Sequence, residues 1–111
     1  MSTLEIDNRR IALDKDGYLL DLADWSPAVA EALARQEQLS LSDEHWEILL
    51  LLRGFYDEFQ LAPANRPLIK YAALKLGPSK GNSLHLNQLF KGTPAKLAAK
   101  LAGLPKPINC L

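Results

Sequence analysis

Ser42-Asp43-Glu44-His45-Trp46-Glu47-Ile48-Leu49-Leu50-Leu51-Leu52-Arg53-Gly54-Phe55-Tyr56-Asp57-Glu58-Phe59 decides the fold. Ser42 reads as a helix N-cap, and Asp43 and Glu44 fall in the first turn, where the helix dipole favours acids. Trp46, Ile48, Leu49, Leu52, Phe55, Tyr56 and Phe59 cover a wide arc, leaving one stripe for Asp43, Glu47, Asp57 and Glu58. An apolar surface that wide predicts the central helix of a helical core, touched from several sides and ended by Pro63.

Upstream, Ser26-Pro27 is an N-cap followed by proline at the first helical position, and Val29, Ala30, Leu33 and Ala34 share one face of a helix ending near Gln38. Before that the period is shorter. Leu4 and Ile6, then Ile11 and Leu13, then Tyr18, Leu20 and Leu22 predict short antiparallel strands, with Asp16-Gly17 as the tight hairpin turn. Downstream, Ile69, Ala72, Ala73 and Leu76 keep helical spacing after Arg66-Pro67, and Gly77-Pro78 stops them. Ser79 to Asn82 is a polar loop, Leu84 to Phe90 a short helix, and Thr93-Pro94 a second cap-plus-proline start for the helix Ala95 to Ala102, closed by Gly103. These elements predict one domain over 1–111: a hairpin region 1–24, a helical core 26–102 and a C-terminal arm 103–111.

The arm Leu104-Pro105-Lys106-Pro107-Ile108-Asn109-Cys110-Leu111 carries two prolines at alternate positions, which forbid helix and favour extended backbone. Its cysteine, Cys110, is the only one in 111 residues. An internal disulfide is therefore impossible, and a reducing cytoplasm is the simplest compartment. A penultimate thiol on a stiffened arm suits group transfer: a thiolate takes a sulfur from a partner's persulfide and presents it to another protein. An incidental surface thiol is the plainer reading. A prenylation box would place the cysteine fourth from the end. The two histidines do not supply metal-ligand spacing with it. No cofactor or metal site is predicted.

His45 reads as structural and Trp25 and Trp46 as core, while His85 lies beside the basic segment within possible reach of the arm. No phosphate loop, paired-carboxylate constellation or Ser-His-Asp arrangement is visible. No apolar run reaches membrane-span length, and MSTLEIDNRR lacks the apolar stretch of a signal peptide. The zero net charge hides a polarity. Residues up to Glu58 hold all thirteen acids and five bases; from Leu61 onward there are eight bases and no acid, giving −8 and +8. Either the two segments interleave and neutralise each other, or a basic face exists that suits an anionic partner.

Asp16-Gly17-Tyr18-Leu19, Trp25-Ser26, Leu41 to Glu47, Phe55-Tyr56, Lys80-Gly81-Asn82-Ser83, Leu89-Phe90 and Gly103-Leu104-Pro105-Lys106-Pro107 followed by Cys110 carry a resemblance. The chain resembles the DsrC/TusE family of sulfur-carrier proteins, nearly end to end. The resemblance implies a mainly α fold with a small N-terminal β-hairpin (α+β), an orthogonal helical bundle with a helix-turn-helix-like core and a flexible C-terminal arm. It implies that Cys110 accepts the sulfur. In the DsrC branch a second cysteine lies eleven residues upstream of the penultimate one; here that position is Ala99, which points to the TusE branch. It further implies a TusBCD-like sulfur donor complex and an MnmA-like tRNA thiouridylase as acceptor, possibly with bound tRNA, for 2-thiolation of the wobble uridine. A sulfite-reductase carrier, a helix-turn-helix DNA-binding regulator and a redox sensor acting through a Cys110 disulfide dimer are the competing readings.

Overall fold

The structure is a computed structural model that describes residues 2–107. Strands β1 (Ser2–Ile6) and β2 (Arg9–Leu13) form a two-stranded antiparallel sheet, with Ile6 opposite Arg9. A single 3-10 turn, Leu22–Asp24, precedes helices α1 (Pro27–Gln36), α2 (Asp43–Phe59), α3 (Asn65–Leu76), α4 (Ser83–Leu89) and α5 (Pro94–Leu101). No described helix is long and apolar enough to cross a membrane.

The hairpin turn lies one step earlier than the sequence suggested. Asp7 and Asn8 both take positive φ, 49° and 65°, the type I′ geometry of a two-residue hairpin loop. Asp and Asn tolerate it because their short polar side chains lessen the left-handed penalty. Asp14 to Gly17 does turn, but it returns the chain only for one isolated bridge, Leu13 to Leu19. There the Asp14 carboxylate accepts from the backbone N–H of Asp16 and Tyr18, a local alternative to strand pairing.

Two predicted caps are in place: the hydroxyls of Ser26 and Ser42 accept from the N–H of Val29 and His45. The third is not. Thr93 makes no side-chain cap at the start of α5. Instead the N–H of Ala95 donates to Asn65 Oδ1, thirty residues away on α3, at 2.9 Å.

The largest revision concerns which helix is central. Helix α2 buries His45, Ile48, Leu49, Leu52 and Phe55 but leaves Leu50 and Phe59 exposed. The short helix α5 packs against each of the other four helices. It buries Pro94, Ala95, Leu97, Ala98, Ala99 and Leu101. Its alanines explain this: small side chains let four neighbouring helices approach one axis, and the two leucines fill the gaps between them. On α3 the buried pair is Leu68 and Ala72, with Ile69 and Leu76 at the margin. Gly81 folds the following loop tightly onto this helix, so that a Cβ there would lie 2.0 Å from the Ala73 nitrogen.

Two glycines give opposite expectations. Gly103 has φ +74°, and a Cβ on it would lie 2.3 Å from Trp25 Cδ1. Gly103→Ala should destabilise the protein by about 2–4 kcal/mol through backbone strain and overpacking. Gly54 is helical with nothing within 4 Å of its added Cβ, so Gly54→Ala should stabilise by about 0.5–1 kcal/mol. Urea unfolding midpoints of the two variants should move in opposite directions.

Candidate functional site

Cys110, the predicted sulfur-bearing residue, lies outside the described residues. What the structure shows is the ground that carries it: the carboxyl end of α5 and the segment 103–107. Helix α5 closes with φ +74° at Gly103 and with the N–H of Leu104 donating to the Ala99 carbonyl at 2.9 Å, the wide bond of a Schellman motif.

The remaining end carbonyls of α5 are met from elsewhere. The Trp25 indole Nε1 donates to the Leu101 carbonyl at 2.9 Å, and Arg53 Nη1 donates to the Ala102 carbonyl at 2.6 Å. The Arg53 guanidinium also lies over the Trp25 ring, 3.9 Å from its centroid, and Trp46 meets that ring edge-on at 6.5 Å. Burial pushes the Arg53 pKa down, with Asp57 opposing the shift. An arginine stays protonated through such a shift, so the carbonyl keeps a charged donor.

Beyond α5 the chain stays on the domain. Leu104 and Pro107 are buried and Pro105 is half-buried. The order of the arm, open in the sequence, is set this far: the segment is fastened as far as Pro107. Apolar burial of Leu104 and Pro107 outweighs the extended backbone preference of the two prolines, and an extended strip can lie flat on a surface. Lys106 adds an ion pair with Asp16. Its ammonium lies 5.7 Å from the Tyr18 ring centroid, and Lys100 approaches the same ring at 5.4 Å. The Tyr18 hydroxyl donates to the Lys96 carbonyl at 3.1 Å. Asp16, Tyr18, Lys96, Leu97, Lys100 and Lys106 together line a cleft of about 280 Å³.

Charge in this cleft is largely matched. Lys100 pairs with Glu37 at 3.3 Å. The hydrogen bond from Lys106 holds the Asp16 carboxyl below its ordinary range, and the same bond raises Lys106. Both groups are exposed, so solvent screens the pair and its worth is small.

The other candidates separate cleanly. His45 is buried and structural: its Nδ1 accepts from the Ser42 N–H at 3.0 Å and its Nε2 lies 2.7 Å from the Leu89 carbonyl, which together assign the proton to Nε2. His85 is half-buried on α4, with Nε2 lacking a hydrogen-bond partner among the described residues, and it does not line the cleft. Trp25 and Trp46 are half-buried at the core margin rather than inside it. Sequence reasoning missed the fastening roles of Trp25, Arg53 and Tyr18. The only signal was Gly103, whose lack of a side chain admits the indole.

Fold and site together define a small helical scaffold, fronted by one hairpin, whose fastened C-terminal segment leads to a single thiol. The chain belongs to the DsrC-like family: the model described as "DsrC like protein" matches residues 5–111. It is similar to a Pectobacterium atrosepticum protein named Sulfurtransferase TusE, 50% identical over 97% of this chain and 99% of that one. A Haemophilus influenzae protein named Sulfurtransferase TusE homolog is 49% identical over the same shares. Among solved structures, Allochromatium vinosum DsrC matches with a TM-score of 0.90 and 50% identity, covering 98% of this chain and 97% of that one. The oxidized gamma-subunit of the dissimilatory sulfite reductase (DsrC) from Archaeoglobus fulgidus matches with a TM-score of 0.84 and 37% identity, covering 99% and 100%.

The Lys106–Asp16 clasp has a defined pH window. Asp16 is lowered, so its contribution is present above the ordinary carboxylate range and lost as pH falls through the lowered value. Lys106 is raised, so its contribution is present below the ordinary lysine range and lost as pH rises through the raised value. The backbone amide resonance of Lys106 should therefore titrate below the ordinary aspartate range and lose that titration in Asp16→Asn. An unchanged acid titration in the variant would mean that the clasp does not form.

Proposed function

We propose that this chain is a sulfur carrier that holds sulfane sulfur as a persulfide on Cys110. It takes that sulfur from a TusBCD-type donor and gives it to an MnmA-type tRNA thiouridylase for 2-thiolation of the wobble uridine. In the first step the Cys110 thiolate attacks the outer sulfur of a donor persulfide. A new S–S bond forms on Cys110, the donor's S–S bond breaks, and the donor leaves as a thiolate. In the second step an acceptor thiolate attacks the outer sulfur on Cys110 and releases the Cys110 thiolate. Each step conserves electrons, so no external oxidant is required.

The observation that carries the reading is the fastening of residues 101–107 in a chain whose only cysteine lies three residues further on. A carrier has to present one reactive atom to two partners in succession. A base secured this close in sequence to the thiol does that at low entropic cost. Three residues span at most about 10 Å, which bounds the distance from Pro107 to Cys110. Lys106 is committed to Asp16. Stabilisation of the Cys110 thiolate therefore comes chiefly from the partner's pocket. A lone cysteine that has to stay a free thiol between turnovers fits a reducing, cytoplasmic setting.

A sulfite-reductase role is the second reading, favoured by the likeness to the two DsrC structures. Overall identity does not separate the readings, since the A. vinosum DsrC and the P. atrosepticum TusE are each 50% identical to this chain. Position 99 does. Ala99 is fully buried in α5, and with no second cysteine in the chain an intramolecular disulfide or a trisulfide bridging two cysteines is unavailable.

Incubation with a cysteine desulfurase, cysteine and the upstream relay proteins should add one sulfur atom of mass to the intact chain, removable by reductant. Cys110→Ser should abolish both this gain and tRNA thiolation while leaving the thermal unfolding midpoint unchanged. Thiolation that persists in the Ser variant would end the carrier reading.

A further inference from the structure

The outer face of α3 joins unpaired positive charge to exposed apolar side chains. Arg66, Lys70 and Leu74 follow one another at helical spacing along one stripe, and no acid occurs anywhere in the helix. Arg66, Lys70 and Lys75 form no ion pair among the described residues, whereas Lys80, Lys100 and Lys106 each pair with an acid from the first segment. Leu74 is 78% exposed.

Beside this stripe, Tyr71 meets the Phe55 ring edge-on at 4.9 Å and lies 6.4 Å from the ring of Phe59, which is 47% exposed. Lys75 covers Tyr71 at 5.6 Å, and Glu58 accepts weakly from the Tyr71 hydroxyl at 3.5 Å. Scattered exposed leucines are ordinary. Phe59 and Tyr71, in ring contact, together with Leu74 one helical turn along from Tyr71 and the flanking cations, have the composition of an interface centre, where aromatics and arginine are enriched.

The chemistry of the occupant follows from that mixture. An RNA would engage the cations but leave Leu74 and Phe59 unmatched, and the Tyr71 ring is already in contact with Phe55 and Lys75. A protein with an apolar centre and acids placed opposite Arg66, Lys70 and Lys75 matches the mixture, with the Glu58 carboxylate left at its edge. The acceptor handles tRNA and so presents basic surface near its site, which these cations would repel. The donor has no such requirement. Helix α3 also packs against α5, the helix that carries the C-terminal segment, and its Asn65 side chain caps the start of α5 through the Ala95 N–H.

We propose that the α3 face formed by Arg66, Lys70, Tyr71 and Leu74, with Phe59, docks the sulfur donor through an acidic, apolar-centred patch; this rests on the sulfur-relay reading above. The test uses a purified TusBCD-type complex, persulfidated beforehand, and the full-length chain, with intact mass followed over time. Lys70→Glu and Leu74→Ser change exposed side chains, so folding should be retained. Each should slow loading of Cys110 about tenfold or more, Lys70→Glu mainly through the on-rate and less so at high salt. Loading by inorganic polysulfide and onward transfer to the acceptor should be unchanged in both. Equal loading of wild type and both variants by the donor overturns the proposal. So does a loss confined to tRNA or acceptor binding. If the donor fails to load even the wild type, the relay reading itself falls, and this docking proposal falls with it.

Discussion

The carboxyl end of α5 is the point on which the rest depends. A helix end carries unsatisfied carbonyls, and here that end is buried: Leu101 and Ala102 are inaccessible to solvent. Leaving either carbonyl without a donor would cost about 1–3 kcal/mol. The Trp25 indole and the Arg53 guanidinium supply the donors, one from the segment before α1 and one from the middle of α2. Those same two groups stack on each other, and the indole lies against Gly103. A single contact set therefore joins the N-terminal region, the longest helix and the C-terminal segment.

This arrangement also decides where the last described residues go. With Gly103 turning the chain and Leu104 and Pro107 buried, the segment is directed along the domain toward Asp16 and Tyr18. Charge assists only modestly. Among the described residues three lysines join the basic segment to the acidic one: Lys80 pairs with Glu44 and Glu47, Lys100 with Glu37 and Lys106 with Asp16. Both readings of the sequence polarity thus hold in part. Interleaving neutralises some of the bases, and those of α3 keep a positive face.

Elements with local signals were legible in the sequence, and those set by distant partners were not. Ser26 and Ser42 cap their helices because the donor they satisfy lies three residues away. The α5 cap from Asn65 and the Trp25 and Arg53 bonds span 30, 76 and 49 residues, and no periodicity carries such information. The width of the α2 apolar arc suggested the central helix, but exposure of Phe59 shows part of that arc faces outward. Helix α5 looked minor because alanines contribute little hydrophobic signal, although they are what allows close approach. The hairpin turn was misplaced because Asp16-Gly17 is the stronger local pattern, while Asp7-Asn8 works through two left-handed residues. At the site, Cys110 stood out by being the only thiol and by its place near the chain end, whereas its fastened base could be seen only in three dimensions.

If the chain is a carrier, sulfur on Cys110 has to be an intermediate on the route to RNA, not a side product. A rapid-quench experiment with sulfur-labelled donor, acceptor and tRNA measures this directly. Label on Cys110 should rise first and then decay at the rate at which thiolated tRNA appears. Thiolated tRNA that forms before any label reaches Cys110, or faster than label leaves it, would contradict the account.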